Sequence, residues 1–191
     1  MRILFLGNSF TYFHDLPQIV SHMLSCEVQA HTRGGARLSE QLNPETEMGA
    51  KTLKALKEEK WDYVVMQEQS FAPVGSFDAF LNSVKALSAL IKENGATPVL
   101  YASWAYKEGT EKLASTNLSY TEMADALRNN YQKAAESSGA LMADVGTLFT
   151  KTRDIITPYE PDNYHPSEAG TALAAGEIAR VILENEWKRN N

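Results

Sequence analysis

Five short strand-like runs, each followed by a stretch with helical spacing, leave this chain few folds to choose from. The runs lie at residues 3–6, 27–31, 61–66, 98–102 and 141–145. The first, Ile3-Leu4-Phe5-Leu6, is continuous rather than alternating, which fits a strand covered on both faces, as in a parallel sheet. Between the runs, apolar residues recur at helical spacing: Ile19, Val20, Met23 and Leu24; Leu53 and Leu56; Phe80, Val84, Leu87 and Ile91; Met123, Leu127 and Tyr131; Leu173, Ile178, Val181 and Ile182. Asp15 as N-cap with Pro17 in the first turn marks a helix start, Ser119-Tyr120-Thr121-Glu122 is a capping box, and Gly95 and Gly139 fit helix ends. Residues 103–118 and 146–161 read as loops. Strands alternating with helices predict a three-layer α/β/α sandwich around a five-stranded parallel sheet of the flavodoxin-like type. With no linker or repeat, residues 1–191 are expected to form one domain.

The net charge of −6 and the lack of any basic run argue against nucleic acid or an anionic membrane as partner. No apolar stretch is long enough to span a bilayer, and no secretory pattern opens the sequence, so a cytoplasmic location is expected. Cys26 is the single cysteine, which excludes an internal disulfide and fits a small core filler. Oligomeric state is left open.

Polar residues cluster where the strands end, and in open parallel sheets ligands bind at the carboxyl ends of strands. Ser9 in Gly7-Asn8-Ser9 follows the first strand, Gly34-Gly35 the second, and Gln67-Glu68-Gln69-Ser70 the third. Residues 103–118, with Trp104 and Tyr106, follow the fourth and could form a substrate wall or pack on the body. Asp162 and His165 lie three apart before the last helix, a spacing that lets a carboxylate orient an imidazole so that its other nitrogen activates a hydroxyl.

In block order, these residues resemble the SGNH hydrolase (GDSL-like esterase/lipase) superfamily. Gly7-Asn8-Ser9 is similar to its Gly-Asp-Ser block with Asn for Asp. Gly34-Gly35 resembles the block whose glycine N–H joins the oxyanion hole, and Asp162-x-x-His165-Pro166 the terminal block. The family's third block is usually Gly-x-Asn-Asp. Here Gln67-Glu68-Gln69-Ser70 looks more like the glutamine-containing version of carbohydrate acetylesterase branches, and a glutamine amide offers the same donor on a longer arm.

The resemblance implies a serine esterase acting on short acyl esters, acetyl foremost, of a carbohydrate, without metal or organic cofactor. Ser9 would be the nucleophile, His165 the base and Asp162 its orienter. The oxyanion would be met by the N–H groups of Ser9 and Gly35 and by Gln67 or Gln69. Gln67 is the favoured donor because it lies nearer the strand end. Asn8, Gly34, Trp104, Tyr106 and Tyr164 are expected beside the substrate. Two rivals remain: an inactive, glycan- or partner-binding module, motivated by the altered third block, and a metal-dependent hydrolase using His14, His31 and His165 with Asp162.

Overall fold

The apolar run at the N-terminus becomes a strand near the middle of the sheet. In the computed structural model, which describes residues 1–191, β1 (Arg2–Gly7) leads into a one-turn helix α1 (Ser9–Tyr12), a 3-10 turn at 13–15 and helix α2 (Leu16–Leu24). There follow β2 (Glu27–Thr32), α3 (Leu38–Gln41), α4 (Glu47–Glu58), β3 (Tyr63–Met66), α5 (Ala72–Gly75), α6 (Phe77–Asn94) and β4 (Thr97–Ala102). The chain ends with α7 (Glu111–Ala114), α8 (Tyr120–Ser138), β5 (Leu141–Asp144), α9 (Val145–Thr152) and α10 (Glu168–Asn190).

All five strands are parallel, in the order β2-β1-β3-β4-β5. The chain builds outward from β1 to β2, then crosses back to lay β3 on the other side of β1. Strand order therefore reverses between β1 and β3, and a crevice opens beyond their carboxyl ends. The register sets Leu6 beside Met66 and Gly7 beside Thr32, so the segments after all three strands leave the sheet at one level.

Strand alternation divides the core. Leu4, Leu6, Val64, Met66 and Leu100 face a cluster with Phe80, Leu87, Leu127 and Tyr131 from α6 and α8. Ile3, Phe5, Val65, Val99 and Tyr101 face Leu16, Val20, Phe149 and Ile178 from α2, α9 and α10. Both faces are covered, which is why the strand sequences run apolar without a polar phase.

Several boundaries depart from the sequence reading. Residues 146–161 are not all loop: α9 starts directly after β5, where the Asp144 carboxylate accepts from Thr147 N–H at 3.1 Å and so acts as N-cap. Asp15 holds the residue before α2 but is left-handed (φ 53°) and caps nothing. Met23 turns outward at 51% exposure, while Leu16 and Val20 face in. Cys26 is only partly buried and precedes β2. No helix is long and apolar enough to cross a membrane.

These placements predict unequal costs. Leu4→Ala, in the strand at the centre of both layers, is expected to lose about 2–5 kcal/mol, while Met23→Ala is expected to stay within about 0.5 kcal/mol. Urea midpoints of the two variants check the assignment, and equal losses would contradict the burial of α2.

Candidate active site

Ser9 owes its position to the turn that ends β1. Asn8 is the N-cap of α1: its Oδ1 accepts from Phe10 N–H at 3.1 Å, and its carbonyl accepts from Thr11 and Tyr12 N–H. The chain turns sharply from strand to helix and leaves Ser9 facing the crevice. Asn8 Nδ2 donates to the Ala36 carbonyl at 3.0 Å, fastening the glycine loop beside the serine. Asn8 thus borders the crevice, and one hydrogen of its amide is engaged in building it.

Gln67 is also structural. Its Oε1 accepts from Asn8 N–H and Thr11 Oγ1, both at 3.0 Å, and its Nε2 donates to the Glu68 carbonyl. It is 1% exposed and lies under the turn, not in the crevice. The expectation that closeness to the strand end would make Gln67 the oxyanion donor is therefore corrected. Gly7 makes room for this arrangement, because a methyl group there would collide with Thr11 Oγ1 and come within 2.8 Å of Gln67 Oε1.

Gln69 lines the crevice with Ser9, Phe10, Gly35, Ser70, Lys112 and Tyr164. Its Oε1 accepts from Phe71 and Ala72 N–H at 3.0 and 2.9 Å, which fixes the amide orientation. Nε2 has one contact, Ser70 Oγ at 3.3 Å, and a second hydrogen left over. Gly35, left-handed at φ 68°, contributes an N–H with no partner in the chain, and the N–H of Ser9 has none either. Gly34, in contrast, lies outside the crevice lining.

On the opposite wall, Asp162 Oδ1 accepts from the N–H groups of Tyr164 and His165 at 3.1 and 3.0 Å, folding residues 162–165 into a tight turn. Its Oδ2 lies 2.6 Å from His165 Nδ1, and His165 Nε2 lies 2.8 Å from Ser9 Oγ. The carboxylate can only accept, so Nδ1 carries the proton and Nε2 accepts from the serine. Burial works to raise the Asp162 carboxyl, but hydrogen bonds from the His165 side chain and from both backbone N–H groups outweigh it and hold the group below the usual range. The Phe13 ring lies flat on the imidazole, centroids 4.3 Å apart and planes 1° apart, and Tyr164 flanks it at 4.1 Å.

The aromatic expectations divide. Trp104 is 1% exposed, stacked between Phe10 and Phe149 at 4.6 and 3.9 Å, and is core rather than platform. Its indole N–H reaches the Tyr164 carbonyl at 3.0 Å, so it braces the histidine turn from beneath. Tyr106 is buried too, with its hydroxyl 2.8 Å from Ser70 Oγ. Only Tyr164 borders the crevice. The histidines of the metal rival do not converge. His14 pairs with Glu160 at 2.7 Å, and both nitrogens of His31 are taken by Thr52 and Gln29 at 2.8 and 2.7 Å. A wider hollow beside His31 is lined by no serine or cysteine.

Glu68 carries a role that sequence reasoning left unassigned. Its carboxylate, 2% exposed, accepts from Gln69 N–H at 2.7 Å and from Leu38 N–H at 3.4 Å. It ties the loop after β3 to the one carrying Gly35. The signal was available: a charged residue between two amides at the end of a central strand cannot be plain core.

Burial pushes the Glu68 carboxyl up to about 7, against the backbone N–H groups of Gln69 and Leu38, which lower it. Between the ordinary carboxyl value and 7, the folded chain binds more of this proton than the unfolded chain. Stability from this group is therefore complete at low pH and is lost as pH rises to 7. Glu68→Gln removes that loss. Its melting temperature relative to wild type is expected to rise from pH 5 to pH 8, by at most about 3 kcal/mol in equivalent stability. A difference that does not change with pH would place the Glu68 carboxyl in the ordinary range.

No protein-family model matches the sequence, and no curated protein does. Among solved structures, a protein of Slackia heliotrinireducens assigned as an SGNH hydrolase superposes with a TM-score of 0.91 at 44% identity, over 95% of this chain and 98% of that one. A protein of Desulfitobacterium hafniense assigned as lipolytic and of the G-D-S-L family gives 0.70 at 16% identity, over 94% and 98%. A mutant of a Geobacillus acetyl-xylooligosaccharide esterase gives 0.66 at 15%, over 95% and 93%. The last two share the fold alone. With close identity over nearly its whole length to the first, and with Ser9, His165 and Asp162 in hydrogen-bonded sequence at the sheet's switch point, the chain belongs to the SGNH hydrolases.

Proposed function

We propose that this hydrolase is a serine esterase that removes short acyl groups, acetyl foremost, from a carbohydrate or related alcohol. The observation that carries the reading is the Ser9–His165–Asp162 relay opening onto a crevice of only ≈ 140 Å³. Pockets for drug-sized ligands span about 300–1,000 Å³, so this one encloses a small acyl group and only the adjoining end of the alcohol, leaving the rest of the alcohol at its rim. The name of the Geobacillus neighbour, an acetyl-xylooligosaccharide esterase, points to the same class of ester.

Ser9 Oγ attacks the ester carbonyl while His165 Nε2 takes its proton. Asp162 keeps the imidazole oriented and offsets the positive charge that forms on it. The carbonyl oxygen, now negative, is met by the N–H groups of Ser9 and Gly35 and by the Gln69 amide, donors already fixed before reaction. Collapse of this intermediate expels the alcohol, which takes the proton from Nε2 and leaves an acyl-serine. Water, deprotonated by the same nitrogen, releases the acid. The altered third block, which motivated a binding-only reading, still supplies an amide donor, so nothing in it demands a loss of turnover.

The nucleophile is tested with a fluorophosphonate probe. Wild type is expected to label at Ser9, and Ser9→Ala to remain unlabelled while keeping its circular dichroism. Labelling that persists, or that maps to Ser70, would overturn the assignment.

The donor is tested by kinetics on p-nitrophenyl acetate. Gln69→Ala is expected to lower kcat by about 10²–10³ with little change in KM, because the amide meets charge that exists only in the transition state. Gln67→Ala is expected to lower melting temperature as well as activity, since it removes the support of the Asn8 turn. A kcat loss confined to Gln67→Ala, in a variant of unchanged stability, would return the donor role to Gln67.

A further inference from the structure

The crevice carries one formal charge besides the catalytic groups, and it is positive. Lys112 sits on α7 and lines the crevice together with Gly35, Gln69 and Tyr164. Its Nζ lies 3.6 Å from the Tyr164 ring centroid and 5.1 Å from that of Tyr106. No carboxylate lies within 4.0 Å of it, as for every lysine of the chain but Lys54; what sets Lys112 apart is its place in the crevice lining against the two rings. A lysine is normally a flexible, well-hydrated charge. Here two aromatic faces hold the ammonium in place, which lowers the ordering cost of using it for recognition.

The segment bearing Lys112 is tied to the histidine turn. Lys107 N–H donates to the Asn163 carbonyl at 3.0 Å, and Tyr159 Oη donates to the Ala105 carbonyl at 2.9 Å. Tyr164, over which the ammonium sits, adjoins His165. The imidazole delivers its proton to the departing alcohol, whereas Gly35 and Gln69 gather the carbonyl oxygen. Lys112 therefore stands on the alcohol side of the scissile bond.

We propose that Lys112 is a specificity-determining residue that pairs with a carboxylate on the alcohol part of the substrate, making acylated acidic sugars preferred over neutral ones. This rests on the esterase reading and adds the charge of the alcohol to it. A partly exposed pair of this kind changes binding by a modest factor, about three- to tenfold when donor and acceptor are both ionised. The attraction is also sensitive to salt.

The test compares monoacetylated glucuronic acid with glucose acetylated at the same hydroxyl, following acetate release. The readout is the ratio of the two kcat/KM values within each protein, so a general loss of activity cancels. Wild type is expected to favour the uronate about fivefold at low salt, with the preference shrinking towards one at roughly 0.5 M salt. Lys112→Gln is expected to bring the ratio to about one at any salt, and Lys112→Arg to keep most of it. A wild-type ratio of one or below, a preference that ignores salt, or a preference that persists in Lys112→Gln would overturn the proposal, leaving Lys112 as a packing partner of the two tyrosines. Turnover of p-nitrophenyl acetate without turnover of either sugar would overturn it and leave the esterase reading standing. No turnover of p-nitrophenyl acetate would remove that reading and this proposal with it.

Discussion

The pair of hydrogen bonds that Gln67 Oε1 accepts from Asn8 N–H and Thr11 Oγ1 is the point on which the site depends. β1 and β3 are neighbours, but the chain leaves each in a different direction, and nothing in a parallel ladder fixes where those departing segments go. A buried amide reaching from the end of one strand to the turn after the other removes that freedom. It needs a residue without a side chain at Gly7, and its burial keeps the Gln67 amide away from the crevice. Asn8 then passes the constraint on to Ala36, and Glu68 to Leu38. Three polar side chains thus set the mutual positions of the serine, the glycine loop and the third-strand loop.

The histidine wall is held by a different means. Its supports are mostly flat rings: Phe13 on the imidazole, Trp104 beneath the turn, Phe10 and Phe149 around the indole. Aromatic stacks resist tilting and add about 0.5–1.5 kcal/mol per pair beyond area burial. Hydrogen bonds accepted by Asp162 set the turn, and the stacks set the angle at which His165 meets Ser9. The His14–Glu160 pair closes the same wall on its outer side, joining the segment after Ser9 to the segment before Asp162.

The sheet was legible because its strands carry apolar residues in both phases and its helices carry clean stripes. α9 was missed because it follows β5 without any turn residue, its only cue being the acceptor side chain of Asp144. The meeting of Ser9, His165 and Asp162 was legible only from the ordered set of blocks that resembles the family, since neither Gly-Asn-Ser nor Asp-x-x-His decides it alone. The glutamines could not be ranked by distance from the strand. The cue that favours Gln69 as the proposed donor is the register of the block: set against Gly-x-Asn-Asp, Gln69 occupies the Asn position, while Gln67 falls where the family keeps its glycine. Trp104 and Tyr106 show the opposite limit, since an aromatic in an irregular segment carries no mark of whether it turns inward. Their burial depends on tertiary packing against Phe10, Phe149 and Ser70, which lie far away in sequence.

His165 stands 156 residues after Ser9, and α10, which follows it, packs against α2 at the other end of the chain. During synthesis Ser9 therefore leaves the ribosome just after the first strand and meets His165 only after nearly the whole of translation. Closing so long a loop is among the slow events of folding. A nascent or truncated chain that ends before residue 165 holds Ser9 without the imidazole that lies 2.8 Å from it in the finished fold, so the proposed triad is completed only late in assembly. The order of blocks along the sequence keeps Ser9 and His165 apart until the fold is nearly finished.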